Sequence, residues 1–251
     1  MYEFHFIKQG GKRRKICKPL PETKVRLEAL LPQLNAVELH DAAHGFRAGR
    51  DCVSNAKVHV GERRDILTLD IKSWFPSCKK QYVMSALPDS VDHEAISNNC
   101  FWQGVLPTGA CTSPVLSNIL MVPLDAAITE FIEGLGFKYT RYADDLAFSG
   151  VGLRDQVDAI ESFVTSTLGT IELRLKRSKT KLMRYHSSQA ITGICVSHGL
   201  IRLSRAKRNS YWEHFQQVSL PLSEQDAGVL SYIRSVDLKF HQRLLRSLSQ
   251  E

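Results

Sequence analysis

The apolar positions of this 251-residue chain fall into blocks whose spacing changes along its length. Residues 2–8 alternate weakly and 14–17 resume the alternation, with Gly10 and Gly11 between them, which predicts a β-hairpin. Pro21 then opens a helix over about Glu22 to Leu31, with Val25, Leu27, Leu30 and Leu31 as its buried face. Residues 65–70 read Asp-Ile-Leu-Thr-Leu-Asp, a core strand that ends on an acid. The segment 79–99 predicts two short helices split by Pro88.

From Ser113 onward, apolar residues at 115, 116, 119, 120, 124, 127, 128, 131 and 132 keep helical spacing. Ser113 is the expected N-cap, Pro114 sits in the first turn, and Gly134 ends the helix. Phe137 to Phe148 forms two β-rich runs that meet at Asp144-Asp145, a tight hairpin. A helix near 154–168, strands near 181–185 and 190–196, and helices over 205–251 follow. Strand, helix, hairpin, helix, strand predicts an α+β fold, an antiparallel sheet with helices on one face. No repeat, low-complexity tract or clean linker divides the chain.

At 43% hydrophobic the chain can bury a real core, as one domain or as closely packed subdomains. The longest apolar stretch, around Ile119 to Ile128, holds Pro123 and Asp125 and is read as too short for a bilayer. No apolar segment follows a charged start, so no secretory signal is expected. Six cysteines without a C-x-x-C pair, and a lone i, i+4 histidine pair at His40 and His44, predict a reducing, cytoplasmic setting and no zinc.

Charge distribution says more than the net +7. Residues 1–26 carry eight Lys/Arg against two acids, and residues 174–208 carry ten Lys/Arg and no acid. The remainder therefore sums to −9. Basic runs are ordinarily solvated surface. Here they bracket an acidic segment, the layout of positive walls around a negative metal site, holding phosphates by charge neutralisation.

An Asp-Asp dipeptide alone is most often a turn. Asp70, however, closes an apolar strand, and Asp144 and Asp145 tip an apolar hairpin, so neighbouring strands would gather three carboxylates. Unneutralised charges repel by about 4 kcal/mol at about 4 Å and an effective dielectric near 20. Proteins keep such clusters chiefly to bind hard divalent cations through oxygen, the arrangement of two-metal phosphoryl transfer.

These residues carry a family resemblance. Tyr142-Ala143-Asp144-Asp145, followed by Leu146-Ala147-Phe148-Ser149, resembles the Y-x-D-D box of bacterial reverse transcriptases. Asp70-Ile71-Lys72-Ser73-Trp74-Phe75-Pro76-Ser77 resembles their first carboxylate motif, and Leu106 to Pro114, running into Leu116-Ser117-Asn118, their substrate motif. Asn55-Ala56-Lys57-Val58-His59 matches the N-A-x-x-H signature of the retron type, and Ile191-Thr192-Gly193 resembles its V-T-G signature. His44-Gly45-Phe46-Arg47 is similar to the shared bacterial fingers motif. The boxes occur in the family's order over nearly the whole chain.

The resemblance implies a right-hand polymerase: fingers over 1–64 and 77–112, palm with the antiparallel sheet over 65–76 and 113–200, and a small helical thumb over 201–251. It implies two Mg²⁺ ions held by Asp70, Asp144, Asp145 and the Ile71 carbonyl, with Asp145 the least secure ligand. Phe75 aligns with the steric gate against ribose, or is simply a packed Phe beside a strand. Lys12 and Arg14 resemble triphosphate-binding residues, and Thr108-Gly109 occupies the nucleotide motif where Gln usually precedes the glycine. Lys179 is similar to a lysine near the pyrophosphate, as general acid or phosphate contact. Asn55 and His59 either touch RNA or make core hydrogen bonds. Tyr211, Trp212 and Tyr232 either stack on bases or pack the thumb.

The implied activity is RNA-directed DNA synthesis on a cognate structured noncoding RNA, from dNTPs, giving msDNA in antiphage defence, with an effector protein as a further partner and no membrane. Gly228-Val229-Leu230-Ser231-Tyr232-Ile233 is similar to the thumb helix of retron and group II intron enzymes, and the chain ends soon after it, which disfavours an autonomous intron-encoded enzyme. The alternatives are a group II intron-like or other defence-associated reverse transcriptase, and an RNA-binding scaffold with weak catalysis. RNA synthesis is disfavoured by Phe75.

Overall fold

In the computed structural model the N-terminal alternation becomes a hairpin, β1 (Tyr2–Gln9) paired antiparallel with β2 (Lys12–Pro19). The structure describes residues 2–9, 12–197, 199–218 and 221–248, without the side chains of residues 8, 9, 12–14 and 197. Gly10 and Gly11 lie outside them. Helix α1 (Pro21–Asn35) starts on Pro21 as expected and runs one turn further than its sequence pattern, through Pro32, burying Leu27, Leu30 and Leu34. Val25, expected on the buried face, is exposed.

Helix α2 (Cys52–Val58) is short and closed by a reciprocal capping box between Asp51 and Ser54. Strand β3 (Asp65–Asp70) matches its sequence prediction residue for residue. Three short helices follow, α3 (Trp74–Ser77), α4 (Lys80–Ser85) and α5 (His93–Asn99), the last two on either side of Pro88. The long helix α6 (Ser113–Gly134) spans 22 residues. Ser113 does not cap it, because its hydroxyl donates instead to the Pro107 carbonyl at 2.7 Å.

By length and composition α6 could cross a membrane, so reading only Ile119 to Ile128 as apolar underestimated it. Most of its most apolar window is buried inside the fold, as a core helix requires.

Strands β4 (Lys138–Tyr142) and β5 (Asp145–Gly150) form the predicted hairpin, and helix α7 (Val157–Gly169) follows a 3₁₀ turn. Strand β6 (Lys181–Met183) completes a four-stranded sheet of order β4-β5-β3-β6, antiparallel throughout. The single strand expected over 190–196 is a further hairpin, β7 (Ala190–Ile191) and β8 (Ile194–Ser197), which β9 (Leu200–Arg202) extends to three strands. Thr192 and Gly193 turn it with φ of 48° and 79°. Two successive positive φ values are what a type I′ turn demands, and they explain glycine at the second position. Helices α8 (Arg205–Phe215), α9 (Glu224–Val236) and α10 (Leu238–Leu248) end the described chain.

The expectation of helices on one face only needs correction. Leu67, Leu69, Leu146 and Phe148 join α6 and α7 in one core. Ile66, Ala147 and Met183 belong to a second core, with Val53 and Ala56 of α2 and with Phe215, Ile233 and Leu244 of α8–α10. The sheet is buried on both sides, which is why β3 reads almost continuously apolar.

Candidate active site

Strands β3 and β5 pair so that Asp70 stands directly opposite Asp145. Beyond that pair the Ile71 amide donates to the Asp144 carbonyl at 2.9 Å. Asp70 and the adjacent Asp144 and Asp145, more than seventy residues later, therefore meet at one end of the central strands. The hairpin tip is a two-residue loop in which Ala143 takes a left-handed φ of 56°.

The backbone continues past Asp70 along residues 174–176. The Lys72 amide donates to Arg174 at 2.8 Å, and the Lys176 amide to Asp70 at 2.7 Å. This segment delivers Lys179, whose ammonium forms an ion pair with the Asp70 carboxylate. That hydrogen bond is the main cause of a raised Lys179 pKa, which desolvation opposes. Burial, and behind it the charges of Asp144 and Asp70, push the Asp145 carboxyl up to about 6, with Lys179 pulling it back.

A cleft of about 640 Å³ holds Asp70, Ile71, Phe75, Thr108, Asp144 and Lys179. The cluster is all hard oxygen with a surplus of negative charge that already attracts one cation, so its donor chemistry suits divalent ions. As the side chains stand, no three His, Cys, Asp or Glu groups among the described residues form a ready metal cage. Lys179 engages Asp70 through Oδ2, so an ion would compete with the ammonium for that oxygen.

Asp145 faces a second cavity of about 410 Å³, together with Asn55, Tyr142, Thr192 and Gly193. The two retron-type signatures thus converge beside one catalytic-box acid. Asn55 is buried, with its Oδ1 lacking a hydrogen-bond partner.

His59 is different. It is 1% exposed, and its ring bridges Ser149 Oγ on β5 (2.8 Å) and Thr140 Oγ1 on β4 (2.7 Å). With both nitrogens occupied it clips the hairpin strands together, which fits the core hydrogen-bond role among the two read from the sequence. A neutral imidazole suits this, since one nitrogen donates and the other accepts.

Burial, then the charges of His44 and Arg64, lower the His59 pKa to about 3, and His44 is lowered to about 4 by burial and Arg50. An unfolded chain takes up these protons as pH falls through about 6.5, while the fold refuses them until far lower. Stability is therefore present above pH 6.5 and lost progressively below it. His59 alone should cost about 2 kcal/mol at pH 5. In urea titrations His59→Gln should be less stable at pH 7 yet lose less on acidification than wild type. Equal losses would remove His59 from the account.

Gly109 is placed by packing. At φ 114° it lies so close to β2 that a Cβ would meet the Cys17 carbonyl and Ile16 Cγ2 at 2.9 Å. The Thr108 carbonyl accepts from the Cys17 amide at 2.7 Å, fastening this motif to the first hairpin. The side chains of Lys12 and Arg14 lie outside the described residues; Lys15 of the same strand lines the cleft, as do Lys72 and Lys176, none of them singled out from sequence. Trp212 and Tyr232 pack partly buried against the second core, with the Arg243 guanidinium 4.5 Å from the Trp212 ring centre.

A family model described as reverse transcriptase (RNA-dependent DNA polymerase) matches residues 7–196. The chain belongs to the reverse transcriptase family. It is 28% identical over 260 residues to the retron Ec86 reverse transcriptase of Escherichia coli, covering 99% of this chain and 81% of that protein. The retron Mx162 and Mx65 reverse transcriptases of Myxococcus xanthus are 32% and 29% identical, covering 76% and 97% of this chain. The match spans only 46% and 63% of their lengths. The retron-type resemblance read in the sequence thus holds across relatives.

Among solved structures, a Candida albicans telomerase bound to a fragment of telomeric RNA superposes with a TM-score of 0.57 at 14% identity, over 98% of this chain and 54% of its own. A foamy viral protease-reverse transcriptase with double-stranded DNA gives 0.52 at 16%, over 93% and 36%. These likenesses establish the right-hand polymerase fold.

Proposed function

We propose that this reverse transcriptase copies part of a cognate structured noncoding RNA into DNA by metal-dependent nucleotidyl transfer, in the manner of retron enzymes. The observation that carries the reading is the pairing of Asp70 with Asp145, and of Ile71 with Asp144, at one strand end beside a lysine-lined cleft. In this reading the fingers comprise residues 1–64 and 77–112, the palm 65–76 and 113–200, and the thumb 201–251.

Asp70, Asp144 and the Ile71 carbonyl would hold Mg²⁺, two ions in all, with Asp145 a weaker or supporting donor. When bound, such ions activate a 3′-hydroxyl as nucleophile and neutralise charge on the departing pyrophosphate. The chain's own contribution is positioning and electrostatics. Lys179, ion-paired with Asp70, is placed to contact triphosphate oxygens or to act as general acid toward the pyrophosphate. Lys12 and Arg14 extend this charge from the fingers. Phe75 closes the sugar side of the cleft against a ribose 2′-hydroxyl, Thr108 lines the floor, and Asn55 meets the nucleic acid from the second cavity. Synthesis of msDNA, a phage-defence role, an effector partner and a cytoplasmic setting belong to the same proposal by likeness to the family.

Oligo(dT) on poly(rA), with dTTP and Mg²⁺, should be extended by the purified protein, and dTTP should be used far better than UTP. Equal use of both would remove Phe75 as a gate, and no extension would remove the polymerase reading. Sequencing of co-purified nucleic acid, before and after RNase, should return one structured RNA joined to DNA. A random RNA population would leave a reverse transcriptase without the retron assignment.

A further inference from the structure

We propose that Phe46 is a specificity-determining residue for the incoming nucleotide, forming with Phe75 a two-ring wall on which the base and sugar pack. The inference rests on the polymerase reading and names a residue that the reading does not use.

Phe46 combines two unfavourable features. Its backbone sits at φ 57°, a region bulky side chains avoid. Its ring is 46% exposed, although large apolar groups are ordinarily buried. Such strain persists only where surrounding structure imposes it, and it collects at functional sites.

The imposing structure is visible. Asn118 on α6 donates its amide to the Gly45 carbonyl at 2.9 Å and to the Phe46 carbonyl at 3.4 Å. Its Oδ1 accepts from the buried Arg141 guanidinium at 2.9 Å, and the same guanidinium nitrogen donates to the Ala143 carbonyl at 3.2 Å. The loop is also stitched along β4. The Arg141 amide donates to Ala42 at 2.7 Å, and the His44 amide to Arg141 at 2.8 Å. Gly45 approaches so closely that a Cβ there would lie 2.6 Å from the Ala143 nitrogen. The tip that carries Asp144 and the loop that carries Phe46 are thus one rigid piece.

Held this way, Phe46 projects into the cleft of Asp70, Asp144, Thr108 and Lys179. Its ring centre is 6.0 Å from that of Phe75, with the planes inclined by 32°. That gap is too small to admit a base between the rings, so they form one continuous apolar face beside the phosphate-binding lysines. A flat, partly apolar group bonded to a polyanion fits it, which is the chemistry of a nucleoside triphosphate. Asn118 is the positioning residue.

The test is steady-state extension of oligo(dT) on poly(rA) with varied dTTP. Phe46→Ala should raise the dTTP KM about tenfold, leave kcat within about threefold, and leave the Kd for the template–primer duplex unchanged. Phe46→Trp should keep a KM near wild type. Stability should change little, because the ring is 46% exposed and alanine keeps the same left-handed backbone. Asn118→Asp, which keeps an acceptor for Arg141 but loses the donor to Gly45 and Phe46, should reproduce the rise in KM; should it fail to fold, Phe46→Ala decides. A KM within twofold of wild type, or a fall confined to kcat, overturns the proposal. So does a weakened duplex Kd at unchanged KM, which would move the ring to the template strand. Wild type no more active than Asp144→Ala would instead sink the polymerase reading, and this assignment with it.

Discussion

Replacing Asp144 by Ala is expected to lower RNA-templated DNA synthesis at least about 10³-fold, a loss of about 4 kcal/mol of transition-state stabilisation. The variant removes the carboxylate proposed to hold metal at the hairpin tip while leaving the hairpin itself intact. Its backbone carbonyl still receives the Ile71 amide, and the Tyr142–Asp145 pairing does not involve its side chain. Stability should hold or rise, since Asp144 is one of the charges pushing Asp145 up to about 6. With it gone, the Asp145 carboxyl should titrate lower. Asp145→Ala should cost less than Asp144→Ala, because Asp145 opens onto the second cavity rather than onto the cleft of Phe75 and Lys179. Extension rates and urea midpoints, measured on the same preparations, check this. Equal rates for wild type and Asp144→Ala would end the site assignment. A collapsed midpoint would mean that folding, not chemistry, was lost.

The site's acids were legible because each sits where its element stops. A strand that ends on Asp70 and a hairpin that turns at Asp144 leave little freedom about where those carboxylates go once the two strands pair. The long helix and the split at Pro88 were legible for similar reasons of period and punctuation. What escaped was polarity inside apolar blocks. Asn118 and Asp125 are seven residues apart on α6, two turns along one face, and both are buried. Read by hydrophobic period they are interruptions; the signal lay in their shared face, which called for a buried partner. That partner, Arg141, lies in a β-rich run where a charge would ordinarily face solvent. The second core escaped too. Alternation along β3 is masked by burial on both sides, and the elements that cover its far face come from α2 and from helices more than a hundred residues later. His59 could not be assigned from sequence because its hydroxyl partners are eighty-one and ninety residues away.

The same buried network sets the largest expected loss of stability. Asp125 grips Arg141 with both oxygens, at 2.9 Å and 3.1 Å to Nε and 2.7 Å to Nη2, and accepts the Tyr139 hydroxyl at 2.8 Å. Both charged side chains are fully buried. Replacing Asp125 by Ala strands a guanidinium without its counter-ion and opens a hole beneath β4, which should cost about 3–5 kcal/mol. Asp125→Asn keeps the shape and one acceptor and should cost less. Taking away both charges, with Leu at 125 and Met at 141, should recover much of the stability, since a matched apolar pair needs no desolvation. Activity should not return with it. Arg141 is also the donor to Asn118 and to the Ala143 carbonyl, so the double variant would be a stable fold with a loosened catalytic tip. Urea midpoints and extension rates across the three variants separate the two roles. If the double variant regained full activity, Arg141 would matter only as ballast for the core, and the link from helix α6 to the Asp144 turn would have no part in the chemistry.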